Sequence, residues 1–285
     1  MLGLPALAYV LLVAAWPILQ GVWYSLHDYN LLRPQRRGFV GFGNYLRLWA
    51  DPSAVRALLN TFLFTFLAVG IELVLGLLLA LALWRDGLFN RVALVLMLIP
   101  VTITPLAVGL IFRALLAVEF GLVGYWAREL GLVGERGFFG YPHTAMGAIV
   151  MIDVWQWTPF VALILLAGLK ALPGELLEAA EVDGATGFQR LRLIVLPLIL
   201  PALLLALVLR TMDAFRVFDS VFVITKGGPE DATNVLMLYA VKQGLEFFNI
   251  GMGAATANLM LVCIALLAVL FVLLIRRVDR RIAGA

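Results

Sequence analysis

Apolar residues run through this chain in long blocks rather than narrow stripes, and short polar stretches separate the blocks. Six blocks are long enough to cross a bilayer as helix, which takes about 20 residues. They span roughly 4–26, 57–84, 90–116, 143–169, 194–222 and 253–275. The second is long enough to tilt. Pro17, Pro100, Pro105, Pro159, Pro197 and Pro201 fall within or beside these spans. Neighbouring helices in a bundle re-satisfy the backbone groups that a proline frees. The pattern predicts an all-α, polytopic membrane protein of about six transmembrane helices, with residues 1–285 in a single transmembrane domain.

Composition sharpens this. Hydrophobic residues make up 63% and charged residues 14% of the chain, far from the balance of a soluble domain. The loops between spans leave no room for a folded soluble domain. The single cysteine, Cys263, lies in the last apolar block, so no disulfide can form within the chain. The net charge of +3 comes from basic residues in loops and tails rather than in a stripe with aromatics. Membrane lipid is therefore the expected surroundings, and nucleic acid is not an expected partner. The start, Met1-Leu2-Gly3-Leu4-Pro5, shows no charged n-region or cleavage site and is expected to enter the first span directly.

Basic residues set the orientation. Segments 85–91, 170–193 and 276–285 carry nine in 41 positions, ending with Arg276, Arg277, Arg280 and Arg281. Segments 27–56, 117–142 and 223–252 carry nine in 86, with Arg33, Arg36 and Arg37 clustered among them. The denser side is cytoplasmic by the positive-inside rule, which puts both termini in the cytoplasm. Trp23, Tyr24, Tyr29, Trp49 and Trp84 suit the aromatic belts at the two interfaces.

The cytoplasmic loop 170–193 contains Glu178-Ala179-Ala180-Glu181-Val182-Asp183-Gly184-Ala185-Thr186-Gly187-Phe188, followed by Leu196-Pro197. It reads as a short helix, a glycine turn and a second helix capped by Asp183 or Thr186. Three acidic side chains keep one face wet, and three alanines let another surface approach closely. Two readings stand side by side, a solvated connection and a docking element.

The fifth block carries Arg210, Thr211, Asp213, Arg216 and Asp219. Spacing of i,i+3 joins Arg210 to Asp213, Asp213 to Arg216 and Arg216 to Asp219 in a possible ladder near mid-membrane. Ionisable groups there mark a function by default. The ladder is either internal pairing that lets the helix sit in a bundle or a polar wall for a hydroxyl-rich solute. In the fourth block, Trp157 either packs or stacks on a sugar ring, while Gln156 and Asp153 need polar partners. Glu72 and Asn258 are further polar groups within spans, Glu72 pairing with an arginine of the bundle or with a partner subunit. Enzyme chemistry finds no footing. No G-x-x-x-x-G-K-[ST] loop occurs, and His27 and His143 stand alone without metal-ligand spacing.

The order E-A-A, D-G-A, Phe188 and Leu196-Pro197 resembles the EAA loop of ABC-importer permeases. Three further elements resemble sugar-type members of that family. They are Val40-Gly41-Phe42-Gly43-Asn44-Tyr45, the W-x-P of Trp157 and Pro159, and Phe218-Asp219 running to Thr225-Lys226-Gly227-Gly228-Pro229. The resemblance runs from about residue 5 to 275 and implies the type I ABC-importer permease fold. It implies a translocation subunit rather than an enzyme. Partners would be a second, related permease in a heterodimer, two ATPase subunits and an extracytoplasmic sugar-binding protein. ATP and magnesium would be held by the ATPases, and no cofactor by this chain.

On the same basis Glu178, Ala179, Ala180, Asp183, Gly184 and Ala185 would couple to the ATPase. In maltose-type permeases the span before the Gly-Gly-Pro turn lines the substrate cavity. This makes Thr211, Asp213, Arg216 and Asp219 candidates for the substrate path, with Gln156 and Trp157 from the fourth span. The expected cargo is a disaccharide or oligosaccharide such as trehalose or maltose. Glycerol 3-phosphate is an alternative cargo. A different class, an ion-coupled secondary carrier, would use Glu72, Asp153 and Asp213 as a relay.

Overall fold

The chain winds around two long helices that cross at close range. The computed structural model describes residues 3–85 and 87–283; Met1 and Leu2 lie outside it, as do the side chains of Arg36, Arg276, Arg277, Arg280 and Arg281. Helix α1 (Gly3–Ser25) leads to a two-stranded antiparallel ribbon, His27–Asp28 against Gly38–Phe39, and then α2 (Gly43–Ala50). Helix α3 (Pro52–Leu83) follows at once. Asp51 caps it by accepting from the Ser53 N–H at 2.9 Å, and Pro52 occupies the first turn, where an N–H is not needed. At 32 residues, α3 is about 48 Å long, well beyond the ~30 Å hydrocarbon core.

Helix α3 is apolar all round, yet only one face is buried. Ala57, Thr61, Phe64, Ala68, Glu72, Gly76, Ala80 and Leu83 recur every three or four residues and point into the bundle. They meet α7 (Pro142–Lys170), the most enclosed of the three long apolar helices. Gly76 permits the crossing, since a Cβ there would lie 2.6 Å from Val161 Cγ1 and 3.2 Å from the Ala162 nitrogen. Phe64, Ala68 and Val69 pack with Ile149 and Val150 toward one end. Ala80 and Leu83 pack with Val161, Leu165 and Leu169 toward the other.

Two expected spans are broken helices rather than single rods. The 90–116 segment forms α4 (Leu88–Thr102) and α5 (Pro105–Leu115), bent by 95°. Pro105 opens α5 without an N–H, and Ile103 leaves the helical path with an extended backbone. Short α6 (Leu122–Glu129) lies between α5 and α7. The 194–222 segment differs likewise. After α8 (Gly174–Val182) come α9 (Gly187–Arg190), a π-helical turn at Leu191–Val195, α10 (Leu196–Leu198) and α11 (Leu200–Ala214). The bend at Ile199 is 62°, where Pro201 withholds a hydrogen bond from the preceding turn. The chain turns again at Phe215–Phe218 before α12 (Asp219–Ile224).

Helix α13 (Leu236–Val241) and a π-helical turn, Lys242–Glu246, precede α14 (Ile250–Ala283), which lies along α1. Asn44 and Tyr45 of the Val-Gly-Phe-Gly-Asn-Tyr element act as a clasp here. Asn44 donates to the carbonyls of Ser25 and His27 at 2.8 and 2.9 Å, and the Tyr45 hydroxyl donates to Ser25 Oγ. Asn258 of α14 donates to the Gly21 carbonyl of α1 at 3.2 Å. Among the described residues, three helices are long and apolar enough to span a membrane singly: Pro52–Leu83, Pro142–Lys170 and Ile250–Ile275.

Candidate functional site

The loop after α7 takes the predicted form. Helix α8 ends at Val182, and Gly184 follows with φ +77°. The Gly184 N–H donates to the Glu181 carbonyl at 3.0 Å and the Ala185 N–H to the Ala180 carbonyl at 2.9 Å. This paired arrangement closes a helix on a left-handed residue, a conformation glycine adopts without strain. Thr186, not Asp183, caps the next helix. Its Oγ1 accepts from the Gln189 N–H at 3.3 Å while Gln189 Oε1 accepts from the Thr186 N–H at 2.7 Å. Asp183 is instead the C-cap residue of α8.

Glu178, Ala179, Glu181, Asp183 and Gly184 are exposed, Ala185 is half-buried and Ala180 is buried. Arg190 donates to Glu181 at 3.0 Å, tying the two short helices together. Leu177 and Leu191 pack against the buried cluster that includes Leu83, Leu165 and Leu169, so the element has a fixed base. Its outer surface carries two large apolar side chains, Val182 at 87% and Phe188 at 69% exposure. Val182 was not singled out in the sequence, although a large apolar residue amid three acidic ones is a visible anomaly.

The second site is a charged knot inside the bundle. Arg210 of α11 is 1% exposed and Glu72 of α3 is 0% exposed. Arg210 donates from Nε to Glu72 Oε2 at 2.7 Å and from Nη2 to Oε1 at 2.8 Å. Nη2 also donates to Asp153 Oδ2 of α7 at 2.7 Å, and Nη1 to Asp213 Oδ2 at 2.5 Å. Four of the five guanidinium N–H bonds therefore end on three carboxylates. The Arg210 Cζ also lies 4.9 Å from the centroid of the Trp157 ring. Ions in a dry interior persist only when so closely paired.

In front of the knot opens a small polar cleft of about 90 Å³. Asp153, Trp157, Asp213, Arg216, Phe218 and Asp219 line it, with Pro105 at the broken α4–α5 junction. Four of the six substrate-path candidates thus meet in one place. The other two do not. Thr211 faces an apolar cavity of about 380 Å³ with Phe62, Leu207 and Phe215, because two positions along a helix turn a side chain away from Asp213. Gln156 donates to the Ile103 carbonyl at 2.9 Å and so satisfies the break between α4 and α5. The predicted ladder is only partly present. Asp213 meets Arg210 closely and Arg216 at 3.9 Å, but no ion pair joins Arg216 to Asp219 among the described residues, because α11 ends at Ala214. The partnership of Glu72 and Asp153 with Arg210 was open in the sequence, since neither shares its helix.

The turn after α12 is held by α3. Thr233 donates to the Gly228 carbonyl at 2.7 Å, Asn60 donates to the carbonyls of Asp231 and Asn234 at 2.9 Å, and Ser53 pairs with Asp231. The Leu236 N–H, at the start of α13, donates to Thr61 Oγ1 at 2.8 Å. The segment that follows α12 is thereby tied to the same helix that carries Glu72.

The chain is 37% identical to the trehalose transport system permease protein SugA of Mycobacterium tuberculosis over 277 residues, covering 95% of this chain and 86% of that one. It is 38% identical to the trehalose/maltose transport system permease protein MalF of Thermococcus litoralis over 248 residues, covering 87% and 82%. In fold it is similar to a chain of a bacterial alginate ABC transporter crystallised with an alginate pentasaccharide-bound periplasmic protein. The TM-score is 0.78 at 22% identity, covering 98% of this chain and 92% of that one. Residues 72–284 match the family described as binding-protein-dependent transport system inner membrane component. By that match and by these relatives, this chain belongs to that family, as a non-catalytic permease subunit of an ABC transporter.

Proposed function

We propose that this chain is one permease subunit of an ATP-driven importer for a neutral disaccharide of the trehalose or maltose kind. Its six spans would be α1, α3, α7, α14 and the two bent pairs, with both termini in the cytoplasm. Loop 170–193 would seat in a cytoplasmic ATPase. Glu178, Ala179, Ala180, Asp183, Gly184 and Ala185 would form the docked element, and Val182 and Phe188 its apolar anchors. A second permease, two ATPases holding ATP and magnesium, and an extracytoplasmic binding protein complete the assembly.

The observation that carries the reading is the polar cleft beside the Arg210 knot, in a chain whose relatives are named for trehalose and maltose transport. Ligand pockets start at about 300 Å³, so a cleft of about 90 Å³ is one wall of a site that the second permease would close. Asp153, Asp213 and Asp219 outnumber Arg216 on this wall. That balance disfavours glycerol 3-phosphate and suits hydroxyl groups.

The test is reconstitution of the whole complex with its binding protein in proteoliposomes. Uptake of labelled trehalose or maltose that requires internal ATP, and exceeds uptake of glycerol 3-phosphate, supports the reading. Uptake that persists without ATP and collapses with an uncoupler supports the ion-coupled carrier instead.

A further inference from the structure

We propose that Glu72 is a positioning residue for cargo passage: from outside the cleft, it orients Arg210 so that Arg210 holds Asp213 and Trp157 in the cleft wall. The inference rests on the reading of that cleft as part of the cargo path.

The geometry builds outward from α3. Glu72 is fully buried and does not line the cleft, so its carboxylate has no route to a solute. It grips Arg210 at two points, Nε and Nη2, and a two-point grip sets the rotation of a planar guanidinium as well as its location. Arg210 does not line the cleft either. Its remaining bonds go to groups that do: Asp153 through Nη2, Asp213 through Nη1, and the face of Trp157. One guanidinium therefore sets three lining side chains drawn from α7 and α11, and its orientation is set from a third helix. The backbone of α3 is itself held, because Gly76, one turn along, is pressed against Val161 and Ala162 of α7. Released from Glu72, Arg210 would pivot on its flexible stem. Asp213, about half exposed on its side chain, would lose its fixed direction into the cleft.

The test measures uptake of labelled trehalose by the reconstituted complex as a function of loaded binding protein, separating KM from the maximal rate. Glu72→Gln keeps the shape but loses the charge. Arg210→Lys keeps the charge but loses the planar fork. Each is expected to raise KM about tenfold per assembled complex, the scale of one lost charge-assisted bond, with the basal ATPase rate of that complex unchanged whatever the loss in yield. Arg210→Lys also carries the test should Glu72→Gln fail to assemble. Unchanged KM with a lower yield or maximal rate in both variants would overturn the proposal, because that is the signature of bundle stability alone. Asp213→Asn and Trp157→Ala serve as direct probes of the wall. If they leave KM unaltered, the reading of the cleft fails. If they raise KM while Glu72→Gln and Arg210→Lys do not, only the positioning role fails.

Discussion

Glu72 and Arg210 stand 138 positions apart in the chain and meet in a two-point ion pair of 2.7 and 2.8 Å, with almost no exposure to solvent. The pair draws α3 against α11, while Asp153 adds α7 to the same guanidinium. Its strength lies less in net stabilisation than in the penalty for breaking one half. A buried ion without its partner costs about 3–5 kcal/mol, whereas replacing both partners by apolar groups is often neutral.

Arg210→Met is therefore expected to destabilise the permease by about 3–5 kcal/mol, since it leaves Glu72 and Asp153 facing each other without a cation. Adding Glu72→Leu should recover part of that loss. Thermal unfolding of the detergent-purified complex reads both. A double variant no more stable than Arg210→Met alone would count against the pairing.

Gly184 gives a prediction about coupling. A Cβ at this position meets nothing within 4 Å, so bulk is not the obstacle; the positive φ is. Holding an ordinary L-residue there costs about 1–2 kcal/mol, and a β-branched one more, while asparagine tolerates it. Gly184→Asn should import at close to the parental rate. Gly184→Val should lose uptake while the binding protein still captures sugar. Parental uptake by Gly184→Val would remove the coupling assignment from this turn.

The crossing of α3 and α7 should be intolerant of even a methyl group. Gly76→Ala places a carbon 2.6 Å from Val161 Cγ1, and overpacking of this kind costs about 1–3 kcal/mol. Because the nearest clash is with a Cγ that Val161→Ala removes, that change in the same molecule should relieve part of it, leaving the residue 161 Cβ at 3.0 Å and the Ala162 nitrogen at 3.2 Å. A double-mutant cycle on melting temperature measures the relief, and simple additivity would show that the two residues do not touch.

Thr61 supports the turn before α13 from within α3. Its hydroxyl accepts from the Leu236 N–H and donates to the Ala57 carbonyl at 2.8 Å. Thr61→Val keeps the shape and strands the buried N–H, at a cost of about 1–3 kcal/mol. Amide exchange at the start of α13 should quicken in Thr61→Val and stay slow in Thr61→Ser. Equal protection in both would mean that the turn does not depend on this bond.

How much of this was legible beforehand follows the range of the interactions involved. The loop at 178–188 could be read residue by residue because the backbone bonds that turn it span at most five positions, and a positive-φ glycine announces itself. The start of α3 at Asp51-Pro52 is equally local, although the sequence placed that span's beginning five residues later. The breaks in the third and fifth spans were foreshadowed by Pro100, Pro105 and Pro201. Their sharpness was not, because a proline only removes a hydrogen bond. Whether the helix kinks or parts depends on who satisfies the freed groups, and at Ile103 that is Gln156 from another helix.

The site divides along the same line. The amino-acid order alone determined a polytopic helical membrane protein, the helix–glycine turn–helix form of the loop at 178–188 and the i,i+3 spacing that lets Arg210 meet Asp213, since apolar block length, turn chemistry and helical spacing act within one segment. Only the tertiary structure decided that Glu72 and Asp153 share Arg210, that Thr211 turns to an apolar cavity, and that Gln156 serves a helix break. Each of those outcomes depends on which faces of separate helices come together, and a buried charge or amide takes whatever partner the packing brings within hydrogen-bonding distance.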